Sequence, residues 1–404
     1  MKHTIAIIGG GAAGFFGAIA AATTFPDARV VLFEKGKHVL GKVKVSGGGR
    51  CNVTNAAPTL AELLKGYPRG ARFLKQLFPR FSNQDTIRWF AERGVELKTE
   101  PDGRLFPVTD SSWTIIDCLQ REARKAGVEI RLSEGIRRLE PKDDRFELTT
   151  TEGAFTATRV LITTGGHPQP DGYEWLTRLG IQTESPVPSL FTFNSPTSFL
   201  RELPGVSVPD ALVRIAGTSF QYSGPLLVTH WGLSGPAVLK LSAFAARELA
   251  AGGYRFQCLV NWTGEKPEAA REQLELFRKT NAGKQLGTVA PFGLPNRLWR
   301  AFLAESGNRE EMRWSDLTGK PFHKLHETLT NAVFQVEGKT TFKEEFVTCG
   351  GVSLSDIDPK TLQHKKIPGL FFAGEVLDID GITGGFNFQA AWTTAYIAGL
   401  SIGL

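Results

Sequence analysis

The sequence opens on a unit that leaves the chain little freedom, TIAIIGGGAAGFFGAIAAATTFPDARVVLFE over residues 4–34. A short apolar run, Ile5 to Ile8, enters Gly9-x-Gly11-x-x-Gly14, and an Ala-rich helical stretch and a second apolar run, Val30 to Phe33, follow. That run ends on Glu34, roughly 20 residues after the last glycine, where dinucleotide-binding βαβ units place an acid that grips a ribose 2′-hydroxyl. Each glycine has a mechanical reason. Gly9 permits the tight turn, Gly11 lets the backbone approach a pyrophosphate, and Gly14 lets the helix lie against the strand. The helix start offers unpaired N–H groups and a partial positive charge, and Ala12 and Ala13 carry those groups. Strand, turn, helix, second strand and terminal acid in register make a dinucleotide site, which a glycine-rich turn alone would not.

At 404 residues the chain is expected to form two or three domains. With 41% hydrophobic and 22% charged residues the composition is that of a soluble globular protein. No apolar run approaches the roughly 18–20 residues of a membrane span, and Ile5–Ile8 is too short for a signal-peptide core. Cys51, Cys118, Cys258 and Cys349 lie far apart with no C-x-x-C. That pattern argues against a disulfide framework, a metal site and a dithiol centre, so a reducing cytoplasm is the expected location. The net charge of +6 permits an anionic partner without requiring one.

The first ~190 residues alternate strand-like and helix-like stretches, the pattern of an α/β layer with a parallel sheet. Helical spacing marks Asp85–Arg93 and Ser112–Ala126, the latter stopped by Gly127. Strands are expected at Val128–Leu132 and Val160–Thr163, with a hairpin at Phe146–Thr150 and Phe155–Ala157. Residues 190–262 turn rich in Pro, Gly, Ser and β-branched residues, and residues 265–327 are charged and helix-friendly. From Phe346 the text returns to strands and glycine. This predicts a discontinuous nucleotide domain, 1–190 plus 345–404. An inserted β-barrel-like domain (191–264 plus 328–344) and a helical insertion (265–327) complete it.

Three further segments carry chemistry. In Ser46–Asn55, SGGGRCNVTN, the run Gly47-Gly48-Gly49 exposes backbone N–H groups and Arg50 adds a fixed charge, together suited to a pyrophosphate or another electron-rich group. Gly369–Trp392, GLFFAGEVLDIDGITGGFNFQAAW, sets Gly374-Glu375 after a strand, where the acid can accept hydrogen bonds from a ligand's hydroxyls. It also starts a helix at Gly384-Gly385-Phe386-Asn387, whose dipole would favour negative charge at its amide end. The third segment is Thr229–Ser242, THWGLSGPAVLKLS.

Together these segments resemble the HI0933-like (YhiN/BaiN-like) flavoproteins over almost the whole chain. The resemblance implies FAD on a two-dinucleotide-binding-domain flavoprotein fold, a Rossmann-like parallel sheet with an inserted β-barrel and a small helical domain. It also extends the candidate cofactor contacts to Lys35, Lys42, Ser46, Asn52, Ile136, Thr164, Gly165 and Phe388. The loop Thr163–Trp175 looks shorter than the family's. Members look like reductases of activated C=C bonds, some acting on unsaturated steroid-like molecules and others on uridine in ribosomal RNA. In both, hydride from flavin N5 reaches the β-carbon and a protein acid protonates its neighbour. With no second GxGxxG, NAD(P)H would visit only transiently. A small-amine oxidase and a non-catalytic flavin module stay open as alternatives.

Cys51, beside Arg50, is a candidate proton donor, against a space-filling role. His230 is the second candidate, on an inserted-domain loop able to cap the isoalloxazine, and Trp231 reads more readily as interior packing. In KGYPRGARFLKQLFPRF, Lys65, Arg69, Arg72, Lys75 and Arg80 alternate with aromatic residues. They can track RNA phosphates, although an amphipathic helix with Phe73, Leu74, Leu77 and Phe78 inward explains the same pattern.

Overall fold

The computed structural model describes residues 3–340 and 347–404. The chain divides into two compact units, Met1–Ser189 with Lys343–Leu404, and Leu190–Phe342. The domain boundary expected at 344/345 and the strand start at Phe346 lie outside the described residues.

The first unit is organised by a five-stranded parallel sheet. Its order is Leu370–Phe372, Arg159–Ile162, Thr4–Ile8, Arg29–Phe33, Glu129–Arg131. The opening strand is central because its residues are apolar on both faces, and Ile5, Ala6 and Ile7 have no exposed surface. The chain leaves it for Arg29–Phe33 on one side, while Arg159–Ile162 flanks the other. This reversal is the switch point at which open α/β sheets take ligands, beyond the strands' carboxyl ends.

The helix Ala12–Thr24 follows directly and is buried almost all round, as its run of alanines and phenylalanines requires. A Cβ on Gly14 would stand 1.9 Å from the Gly9 carbonyl oxygen, so only glycine allows the helix to start this close to the strand. Along the same helix lies Phe386–Ser401, from the other end of the chain. A Cβ on Gly399 would meet Ala20 Cβ at 2.6 Å and the Gly17 carbonyl oxygen at 2.7 Å, so the two backbones cross nearly in contact. Three antiparallel sheets accompany the parallel one among the described residues: Ile136–Lys142 with Arg145–Thr150 and Ala154–Ala157, Thr54–Asn55 with Arg104–Pro107 and Leu97–Thr99, and the pair Thr183–Ser189 with Val347–Val352. The strand Ile136–Lys142 was not legible, since Pro141 and its charged neighbours disguise it.

The aromatic-basic segment resolves into the helix Ala71–Leu77, with Phe73, Leu74 and Leu77 buried and Arg72 and Lys75 exposed. Lys65 and Arg80 are exposed too, Arg80 donating to the Lys360 carbonyl. Arg69 corrects the expectation of an RNA contact. Its guanidinium turns inward to the Asp380 carboxylate, Nε to Oδ1 at 2.6 Å, and Asp380 has no exposed side-chain surface. Ser189 donates to the same carboxylate at 2.8 Å. Burial raises the Asp380 pKa, while the hydrogen bonds and charge of Arg69, and Ser189, pull against that rise.

In the second unit seven strand pieces form an antiparallel sheet. Its edge pieces, Ala332–Glu337 and Lys339–Thr340, are consecutive in the chain and turn at Gly338, whose φ is +96°. The first half pairs with Arg255–Asn261 and the second with Thr192–Asn194, so one bent strand closes the sheet into a barrel. The helices Pro267–Thr280, Asn296–Glu305 and Gly319–Thr330 share the barrel's core instead of forming a separate body. Trp262 joins the two, its ring 5.5 Å from Phe302 and 6.1 Å from Phe334. The stretch 265–327 is therefore one face of the same unit.

Arg69→Ala strips a buried carboxylate of its partner, and the cost of such a change is about 3–5 kcal/mol. Urea or thermal unfolding of the variant is expected to show a loss of that size, whereas Arg72→Ala, on the exposed face, leaves the midpoint in place.

Candidate dinucleotide site

The carboxyl ends of the parallel strands converge on a cleft of about 280 Å³. Among its walls are Gly9, Glu34, Lys35, Ile136, Thr164 and Gly165, all expected from the sequence. Glu34 is held from both sides: Gly10 N–H donates to Oε2 at 2.9 Å and Gly36 N–H to Oε1 at 2.7 Å. Each oxygen keeps further acceptor capacity, so the carboxylate is aimed without being used up. At the helix start Phe15 N–H is bonded to the Gly11 carbonyl at 3.0 Å, and the amides before it, Ala12 and Ala13 among them, are those a helix start leaves over. A Cβ on Gly11 would meet no atom within 4 Å, so this glycine keeps an approach clear for an anion.

Glu375 follows the strand Leu370–Phe372. Its Oε2 accepts from Lys42 Nζ at 2.6 Å and its Oε1 from Thr348 N–H at 3.0 Å. The Thr348 hydroxyl beside it is buried and without a hydrogen-bond partner. Gly374 packs on the first helix, where a Cβ would come 2.7 Å from Ala13 Cβ, and its N–H donates to Thr394 Oγ1 at 2.9 Å.

The glycine run of SGGGRCN follows a helical turn from Gly41. Ser46 is extended, and Gly47, Gly48 and Gly49 take φ of 58°, 69° and 85°, a left-handed coil that side chains resist. Gly48 and Gly49 are exposed, and a Cβ on either would meet nothing. Asn52 ties this coil to the last helix. In the amide orientation its neighbours require, it accepts from Gly385 N–H at 2.9 Å and donates to the Thr54 and Leu105 carbonyls. Asn55 Nδ2 donates to the Gly384 carbonyl at 3.0 Å.

Several of the expected side chains already have partners within the protein. Arg50 is committed to Glu100 at 2.6 Å and lies 3.9 Å over the Phe106 ring. Asn387 closes its own loop on Gly381 with two hydrogen bonds, of 2.8 and 2.9 Å. Phe386 packs edge-on against Tyr67, and Phe388 stacks on Trp392. What these positions offer a ligand is mostly N–H groups and shape. The fit to an anionic dinucleotide is good: open amides at Gly11 to Ala13, a fixed acid at Glu34, and a second acid at Glu375.

Cys51 has no exposed surface, and burial pushes its pKa up to about 12 against a hydrogen bond from Ser46. It stays a neutral thiol, as proton donation requires. It has no exposed surface through which a substrate would reach it, and the structure favours the space-filling role. In the second unit His230 is exposed on the turn between the strands Gln221–Val228 and Gly232–Ser234. Trp231 beside it is 62% exposed, which corrects the expectation of interior packing.

The cleft also takes in residues that the sequence did not single out. His167, Asp171, Tyr173 and Trp175 line it from the loop after Arg159–Ile162, where His167 N–H donates to the Tyr173 hydroxyl at 3.0 Å. A loop leaving a strand at the switch point was the available signal.

A profile of the HI0933-like protein Rossmann domain family matches residues 3–401. The chain belongs to the HI0933-like family. It is 31% identical to the ribosomal RNA dihydrouridine synthase of Haemophilus influenzae, across 98% of this chain and 97% of that protein. To the Escherichia coli K12 protein of the same name it is 31% identical, across 96% and 95%. To the 3-dehydro-bile acid delta(4,6)-reductase of Clostridium scindens it is 28% identical, across 98% of both. Among solved structures, a 3-ketosteroid-delta4-(5alpha)-dehydrogenase from Rhodococcus jostii RHA1 matches with a TM-score of 0.52 at 14% identity, over 100% of this chain and 97% of that one. A flavocytochrome c3 fumarate reductase matches with 0.52 at 17%, over 99% and 78%. These two share the family's fold.

All four cysteines are buried and none is in a disulfide. At neutral pH an aromatic disulfide reagent is expected to titrate none of them in the native protein and all of them after denaturation. Rapid native reaction at Cys51 would restore it as an accessible acid.

Proposed function

We propose that this family member is an FAD-dependent reductase of an activated C=C bond, with uridine in ribosomal RNA as substrate and NAD(P)H as a transient electron donor. The observation that carries the flavin reading is the cleft at the switch point, with Glu34 fixed by two backbone amides beside the open helix start. The RNA reading rests on two relatives, each 31% identical over nearly their whole length and named ribosomal RNA dihydrouridine synthase. A cytoplasmic location follows from that substrate. The bile-acid reductase relative, at 28%, favours a second substrate, a steroid-like enone.

FAD, when bound, supplies a hydride for the carbon β to a carbonyl, which both substrates present. The chain's own residues do the rest. Amides of Gly11 to Ala13 would hold the pyrophosphate, Glu34 the ribose hydroxyls, and Glu375 the ribitol. The amide end of Phe386–Ser401 offers positive dipole where charge gathers on reduction. His230, whose imidazole is exposed, is the proposed proton donor to the neighbouring carbon.

The protein is expected to purify yellow and to release FAD on heating. Glu34→Ala should weaken FAD by about 1.5–3 kcal/mol, the worth of a charge-assisted hydrogen bond, read by flavin-fluorescence titration. Under anaerobic conditions NAD(P)H should bleach the flavin, and uridine-containing ribosomal RNA should restore its colour. Restoration by a steroid enone alone would select the second substrate, and bleaching by amines alone would make the protein an oxidase. His230→Ala is expected to slow reoxidation by substrate roughly 10²-fold while leaving bleaching intact.

A further inference from the structure

The hairpin tip that carries His230 also displays a tryptophan that folding does not use. Trp231 is 62% exposed, yet its backbone is firmly held. Its carbonyl accepts from Ser195 N–H at 2.8 Å, and its N–H donates to Thr229 Oγ1 at 3.3 Å. Gly232 beside it pairs with Asn194 across the sheet. A large ring held out on a rigid turn loses little freedom when something stacks on it.

The segment that anchors Trp231 also gathers cations. Arg201, on the short helix Phe199–Glu202, donates to the Pro196 carbonyl at 3.1 Å. Arg297, on Asn296–Glu305, donates to the Glu202 carbonyl at 2.8 Å. Both side chains are exposed, and among the described residues neither forms an ion pair. Each guanidinium is positioned by one backbone carbonyl and keeps its other N–H groups for an anion. Within residues 195–202 Arg201 and Glu202 are the charged side chains, and Arg297 reaches the same stretch from Asn296–Glu305.

We infer that Trp231, Arg201 and Arg297 form a contact site for single-stranded RNA, the ring stacking on a base and the guanidiniums meeting phosphates. The inference rests on the proposed RNA substrate and extends it to residues that carry no reaction chemistry. An exposed aromatic face beside cations is what sequence-tolerant RNA binding uses. A protein partner would ask for a wider apolar surface. The unit's other exposed large apolar side chains, Leu276 and Val333, sit on different elements, Pro267–Thr280 and Ala332–Glu337.

The test is fluorescence anisotropy of a labelled, mixed-sequence single-stranded RNA with the full-length, FAD-loaded protein over a range of salt. Trp231→Ala is expected to weaken binding roughly tenfold, with Trp231→Phe recovering most of the loss. Arg201→Gln with Arg297→Gln should lower the slope of log affinity against log salt by about 0.7 for each phosphate no longer neutralised. Wild-type binding left unchanged by Trp231→Ala and by the double arginine variant would overturn the site while leaving the RNA-reductase reading standing. A wild-type protein that ignores RNA at low salt, yet is reoxidised by a steroid enone, would overturn both.

Discussion

The first unit depends on the near-contact of two helices from opposite ends of the chain. Gly17 and Gly399 allow Ala12–Thr24 and Phe386–Ser401 to cross with almost no side chain between them. The dinucleotide turn and the glycine pair at Gly384-Gly385 are the leading ends of these same helices. A larger residue at the crossing would push one helix outward and carry its amide cluster away from the other. Gly374 adds a second point of closeness, against Ala13, and brings the strand before Glu375 into the same frame. Packing is thus the means by which three glycine segments far apart in sequence are brought together.

Hydrogen bonds then fix what packing brings together. Gln389, fully buried, accepts from both Thr54 and Thr86 and donates to Thr393, and Trp392 Nε1 donates to the Val53 carbonyl at 3.0 Å. With Asn52 and Asn55 these bonds lash the segment after the SGGG coil along the last helix. The ion pair of Arg69 and Asp380 does similar work just before that helix. A buried network of this kind is stabilising only when each member is satisfied, and the members named here are.

Much of this was legible because glycine, acid and periodicity are local signals. The strand–turn–helix–strand unit ending at Glu34 could be read from one stretch of sequence, as could the helix Ser112–Lys125 and the start of the last helix. Side-chain direction was not legible. Arg69 looks like its exposed neighbour Arg72, and only Asp380, more than three hundred positions away, draws it inward. Arg50 and Asn387 read as ligand contacts because they stand in glycine-rich loops, and the bonds they already make, to Glu100 and Gly381, could not be read from those loops. Trp231 misled in the opposite sense, since a tryptophan in an apolar motif is ordinarily packed. The extent of the helical stretch was hard to read for a related reason: composition changes at residue 265, while the core that Trp262 and Phe302 share does not.

The discontinuity of the first unit also imposes an order on synthesis. Its sheet has Leu370–Phe372 at one edge and its leading helix leans on Phe386–Ser401, so a nascent chain of two hundred residues has the dinucleotide turn but lacks the edge strand and the helix that pack with it. The barrel that follows has a core of its own and closes on a strand ending at Thr340, well before the C-terminal residues emerge. The middle of the protein is therefore able to fold while the beginning waits, as domains completed by distant segments must. Until the last helix arrives, the apolar flank of Ala12–Thr24 is a surface for chaperones to guard.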